Sequence, residues 1–120
     1  MNKTKTFSEL IVWQKAHQLT LNIYKMTEDF PKKETYGLTS QMRRSVVSIP
    51  ANIAEGYRKR GKLDKARFFN ISQGSLEELK YYLILAKDLD YIKENNLEEL
   101  TTEVGKLLDS YMKAILNSNS

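Results

Sequence analysis

Val12, Ala16, Leu19, Ile23, Met26 and Phe30 recur at steps of four and three residues, the spacing that lines one narrow face of an α-helix. A strand alternates its sides every second residue and cannot use that pattern. Leu38, Met42, Val46, Ile49, Ile53 and Tyr57 repeat the rule, as do Leu100, Val104, Leu107, Leu108, Tyr111 and Ile115. A wider apolar sector runs from Phe68 and Ile71 through Leu76, Leu79, Tyr82, Leu83 and Ala86 to Leu89. Only two prolines and five glycines interrupt the chain, so the pattern predicts four helices over about 8–29, 35–60, 64–90 and 97–116. Four such faces close around one core. The expected fold is all-α, an antiparallel up-down-up-down four-helix bundle with residues 1–120 as one domain.

Local chemistry adds the punctuation. Ser8 reads as the cap of the first helix, which must stop before Pro31 because the residue ahead of a proline is forced out of the α region. Gly61 is expected to end the second helix, and Asn96 with Glu99 three residues on is expected to cap the fourth. Pro50 sits inside the second helix, where it cannot donate to the Val46 carbonyl and crowds that turn at a cost of about 3 kcal/mol unless neighbours compensate. The reading is a proline-kinked helix, with the hydroxyls of Ser45 and Ser48 placed to bond the freed carbonyl.

Composition excludes several chemistries. The chain has no Cys and one His, which removes thiol catalysis and a zinc-ligand cluster and fits a reducing, cytoplasmic setting. "LIVW" near the start is too short for a signal-peptide core, and "YYLILA" at 81–86 falls far below the roughly 18 apolar residues of a membrane span. The expectation is a protein neither exported nor embedded, with no membrane partner and no cofactor.

Charge is unevenly spread. From Arg43 to Arg67 eight bases face two acids, leaving 11 bases and 13 acids elsewhere. Arg43, Arg44, Arg58, Lys59, Arg60, Lys62, Lys65 and Arg67 are therefore candidate phosphate contacts, and Tyr57, Phe68 and Phe69 are candidate stacking platforms for unpaired bases. The bland alternative is a solvated basic face. Asn52 and Glu55, one helical turn apart, lack a companion nucleophile, metal or base. They read as a structural polar pair tying the kinked helix to a neighbour, with Glu55 also able to pair with Lys59. A helical ribonuclease of the toxin type is disfavoured because the single His17 lies far from any arginine motif on its helix.

Two helices carry apolar surface beyond the core face. Leu10, Trp13, His17, Leu21 and Tyr24 line a second seam on the first helix, while Gly74, Tyr81 and Leu85 leave the core sector of the third. Their alignment points to an interface between subunits, with Gly74 permitting close backbone approach. Periodicity supports association without counting subunits.

The runs "VWQKAH", "FPKKETYGLTSQMRRSVVSIPANIAEG" and "GSLEEL" resemble the four-helix-bundle family encoded in intervening sequences of bacterial 23S ribosomal RNA genes, the S23 ribosomal protein family. A related branch is the accessory variability protein of diversity-generating retroelements. The resemblance implies a ring-like homopentamer and association with nucleic acid. It carries that role onto the eight basic residues between Arg43 and Arg67. The expected partners are further copies of the chain, RNA or DNA, and a nucleic-acid-processing protein. The competing expectation is a homo-oligomeric scaffold that uses the basic segment for subunit contacts.

Overall fold

The structure, a computed structural model, describes residues 4–118. Its helices are α1 (Ile11–Thr27), α2 (Leu38–Arg58), α3 (Lys62–Asp88) and α4 (Glu98–Leu116), with single 3-10 turns at Phe7–Glu9 and Lys32–Glu34 and no strand among the described residues. Every boundary falls within three residues of the periodicity reading.

The caps are placed differently. Ser8 lies inside the first 3-10 turn, which Phe7 holds edge-on against Trp13 at 5.2 Å, so α1 begins only after Leu10. At α4 the side-chain bond comes from Asn95, whose Oδ1 accepts the Leu97 N–H at 3.1 Å, and Asn96 plays no part. Gly61 does not end α2; it is the residue from which α3 starts, its carbonyl accepting the Lys65 N–H.

Side-chain bonds between helices run in opposite order along the chain. Thr27 meets Arg43 and Thr20 meets Val46; Ser45 meets Ser75 and Ile49 meets Ser72; Gln73 meets Asp109 and Lys62 meets Leu116. Successive helices are therefore antiparallel. Each helix packs on two neighbours, and among the described residues the diagonal pairs α1–α3 and α2–α4 make no close approach. That is the up-down-up-down ring of four, 49 Å long and 24 × 21 Å across.

On α1, α2 and α4 the centre of the core lies on the faces the spacing predicts. Val12, Ala16, Leu19 and Ile23 of α1, Met42, Val46, Ile49 and Ile53 of α2, and Val104 and Leu108 of α4 are wholly buried. On α3 the register departs from expectation. Phe69 and Ser72 are buried where Phe68 and Ile71 were expected, Ile71 is 40% exposed and Leu89 45%.

The polar α2–α3 seam explains the shift. Ser72 Oγ donates to the Ile49 carbonyl at 2.8 Å, Ser45 Oγ donates to the Ser75 carbonyl, and the Ser75 and Ser48 hydroxyls pair at 2.8 Å. These small residues draw the helices together, and Gly56 completes the approach: a Cβ there would lie 2.9 Å from Phe69 Cδ1. Phe69 fills that space, so its neighbour Phe68 is turned outward.

Pro50 lies within α2, and the helix continues past it to Arg58. The freed Val46 carbonyl is served from another helix. Thr20 Oγ1 of α1 reaches it at 3.3 Å while also bonding the Ala16 carbonyl at 2.9 Å. Ser45 and Ser48, the expected donors, are engaged with α3 instead. Arg43 Nε binds Thr27 Oγ1 at 2.9 Å and its Nη2 the Tyr24 carbonyl at 3.2 Å, fixing the other end of the same α1–α2 contact.

Candidate nucleic-acid interface

The antiparallel order of the helices brings the α2–α3 turn, Thr4 and the end of α4 to one end of the bundle. Tyr57 OH donates to the Thr4 carbonyl at 2.7 Å, and Lys62 Nζ reaches the carbonyls of Leu116 and Ser118 at 3.3 and 3.2 Å. Residues 58–67 turn through this end with six bases and one acid.

Those bases divide into two kinds. The carbonyls of a helix's last turn lack backbone partners and carry its negative pole. Lys65 Nζ binds two of them on α2, Gly56 at 3.0 Å and Tyr57 at 2.8 Å, and Lys62 Nζ binds the last carbonyl of α4, Leu116, and that of Ser118 just beyond it. Burial pushes the Lys65 pKa down. Arg43, at the far end of α2, caps the last turn of α1 and lies over the Tyr24 ring at 4.6 Å. Arg43, Lys62 and Lys65 thus hold the fold.

The remainder faces solvent. Arg58 and Arg60 are exposed and make no hydrogen bond or ion pair among the described residues. Lys59 and Arg67 flank the Phe68 ring, at 5.0 and 4.5 Å from its centre, and Arg67 also pairs with Asp64 at 2.9 Å. The α2–α3 corner therefore presents Arg58, Lys59, Arg60 and Arg67 around one half-exposed aromatic ring. The other candidate platforms are unsuited. Phe69 is buried, and Tyr57 is bound to Thr4 beneath Lys65, whose Nζ lies 5.5 Å from its ring centre.

The basic segment is not one patch. Arg43 and Arg44 lie 15 and 14 residues before Arg58 on the same helix, about 22 Å along its axis. There Arg44 borders a groove with Tyr24, Tyr36, Ser40 and Val47. By contrast the outer face of α4 bears Glu98, Glu99 and Glu103 along a groove shared with Asn95 and Lys106. A polyanion is repelled there.

Asn52 and Glu55 separate. Asn52 Nδ2 donates to the Ser48 carbonyl and hydroxyl at 2.8 and 3.0 Å and so joins the seam to α3. Glu55 is exposed, and Lys59 turns to Phe68 instead of pairing with it, so the expected buried role of Glu55 is corrected. Among the described residues no three His, Asp or Glu side chains gather to hold a metal ion. His17 is exposed and stacked on Trp13, 4.9 Å between centres at 11°.

The sequence profile of the 23S rRNA-intervening sequence proteins matches residues 8–111. The chain belongs to that family. The crystal structure of a protein of unknown function from the S23 ribosomal protein family, from Bacteroides thetaiotaomicron, superposes with a TM-score of 0.75 at 28% identity. The match covers 86% of this chain and 99% of that one. No curated protein matches.

Within this 23S rRNA-intervening sequence bundle the candidate subunit contacts also divide. Leu10 belongs to the chain's own core at 7% exposure, a correction to its place in the outer seam. Its position just before α1 turns it inward, a change that extending the helical wheel back to residue 8 concealed. Trp13 and Leu85 are half-buried against that core. His17, Leu21, Tyr24, Gly74 and Tyr81 stay on the surface, and nothing within 4 Å would meet a Cβ on Gly74. Tyr36, at 96% exposure the most open aromatic among the described residues, escaped the sequence reading. The periodicity sets it inside the second helix but away from that helix's apolar face, whereas α2 starts only at Leu38 and leaves it on the connection.

Proposed function

We propose that this chain is a non-enzymatic, cytoplasmic, homo-oligomeric bundle, a pentamer by family resemblance, that binds structured RNA through its α2–α3 corner. One observation carries the reading: Arg58, Lys59, Arg60 and Arg67 crowd one turn, and only Arg67 has an acidic partner. Closely spaced, uncompensated cations attract phosphates, and their release of counterions makes binding fall with salt. The corner lies away from the acidic face of α4. No helix of the described residues is long and apolar enough to cross a membrane.

Fluorescence anisotropy of a labelled structured ribosomal RNA fragment at two salt concentrations tests this. The control is Arg58→Glu, Lys59→Glu, Arg60→Glu, checked for unchanged helicity and mass. Binding that weakens with salt and is lost in the folded variant supports the corner; no binding at low salt removes the RNA role. A second reading, a scaffold without nucleic acid, is favoured by the apolar strip of Phe7, Trp13, Val47, Pro50, Ala51 and Ala54 along the α1–α2 groove.

A further inference from the structure

We infer that the groove at the opposite end of α2 is a seat for an unpaired nucleotide, with Tyr36 stacking on the base and Arg44 holding its phosphate. The inference rests on the nucleic-acid reading above and adds to it a second site and a single-stranded specificity. Five facts bear on it. Tyr36 is 96% exposed, so the ring has both faces free for a planar partner. Arg44 is exposed beside it and makes no hydrogen bond or ion pair among the described residues. The Arg43 guanidinium is fixed by Thr27 and the Tyr24 carbonyl and keeps further N–H donors, adding a positive charge that cannot swing away. Val47, 41% exposed, floors the groove with apolar surface, and Ser40 supplies a hydroxyl at its edge. No acidic residue lines it.

The occupant follows from these groups taken together. Guanidinium groups recognise phosphate, and an open tyrosine ring recognises the face of a base. A paired base hides its face in the stack, so duplex RNA can use Arg44 but not Tyr36. The α2–α3 corner has the reverse character. Its one half-exposed ring, Phe68, is already flanked by Lys59 and Arg67, which leaves a phosphate-reading surface. A duplex held at the corner and a single-stranded extension reaching the groove, about 22 Å away along α2, together describe a structured RNA with a loop or overhang.

Anisotropy with two labelled probes tests the seat: a 12-nucleotide single-stranded RNA and a blunt duplex of the same sequence. Wild-type protein, Tyr36→Ala, Tyr36→Phe and Arg44→Ala are compared at matched mass and helicity. Tyr36→Ala is expected to weaken single-strand binding about tenfold, in the range found when a stacking aromatic is removed, and to leave duplex binding unchanged. Tyr36→Phe retains the ring and should bind as wild type does. Arg44→Ala should weaken the single strand as well. If wild type binds both probes and Tyr36→Ala binds the single strand equally well, the seat is overturned while the corner stands. Binding of neither probe by wild type removes the whole nucleic-acid reading. A change of mass in Tyr36→Ala makes the groove a contact between copies and overturns the seat.

Discussion

At the scale of single residues, the most consequential bond is the one from Thr20 to Val46. A proline inside a helix leaves the carbonyl four residues earlier without its donor, and a buried carbonyl without a partner costs about 1–3 kcal/mol. Thr20 Oγ1, sharing its one proton between the Ala16 and Val46 carbonyls, offsets part of that cost across the α1–α2 contact. Thr20→Val should therefore lower stability by about 1 kcal/mol in the natural chain. With Pro50→Ala, residue 50 regains an N–H for Val46, and the same Thr20→Val change should cost less. Urea denaturation of the four proteins of this double-mutant cycle measures the coupling; equal costs in both backgrounds would show that Thr20 does not serve the proline. The sequence identified the orphaned carbonyl. It misassigned the donor, because Ser45 and Ser48 are near in sequence whereas Thr20 is near only after folding.

Among elements, the helices were the legible part, and their ends and one register were not. The middle of each predicted face on α1, α2 and α4 is buried as expected, while Met26, Tyr57, Leu100, Leu107, Tyr111 and Ile115 along the same faces are only partly buried. On α3 both Phe68 and Phe69 offer large apolar rings one residue apart, and periodicity cannot choose between them. Gly56 and the serine seam of α2 choose Phe69.

The connection from α1 to α2 is fastened in a way no spacing announces. Glu34 Oε2 accepts the Tyr91 hydroxyl at 2.7 Å and its Oε1 the Leu38 N–H at 3.0 Å, joining that connection to the one between α3 and α4. Tyr91 chiefly, then Leu38, holds the Glu34 carboxyl below its ordinary pKa. The unfolded chain thus takes up this proton first as pH falls. The stabilisation is complete above the unfolded carboxyl's pKa and disappears as pH drops through the folded one. Glu34→Gln should have a lower urea midpoint than wild type at pH 7, with the two midpoints converging in acid. A gap independent of pH would show that the charge of Glu34 is not what matters.

For the molecule as a whole, the distribution of surfaces decides what it can meet. Cations gather at the two ends of α2, acids line α4, and apolar side chains stay open on α1 and α3. Tyr81, 56% exposed, is the better probe of association through α3 than Leu85, which packs on the chain's own core. If copies join through this stripe, Tyr81→Glu should sediment as a helical monomer of 14.0 kDa. Leu85→Glu should instead lose helical signal. An unchanged sedimentation mass for Tyr81→Glu in an oligomeric wild type would move the interface elsewhere.

The apolar period by itself determined the number of helices, their approximate limits and most of the core, since burying a helical stripe depends on spacing within one segment. It also located the excess of positive charge. Tertiary structure alone decided which of those charges are free. Arg43, Lys62 and Lys65 look like Arg58 and Arg60 in the sequence, yet they cap carbonyls at the ends of three different helices. Such contacts join residues up to 56 positions apart and depend on which helix ends lie side by side. The same packing left Tyr36 open beside Arg44 and turned Leu10 into the core, outcomes set by neighbours that local spacing does not encode.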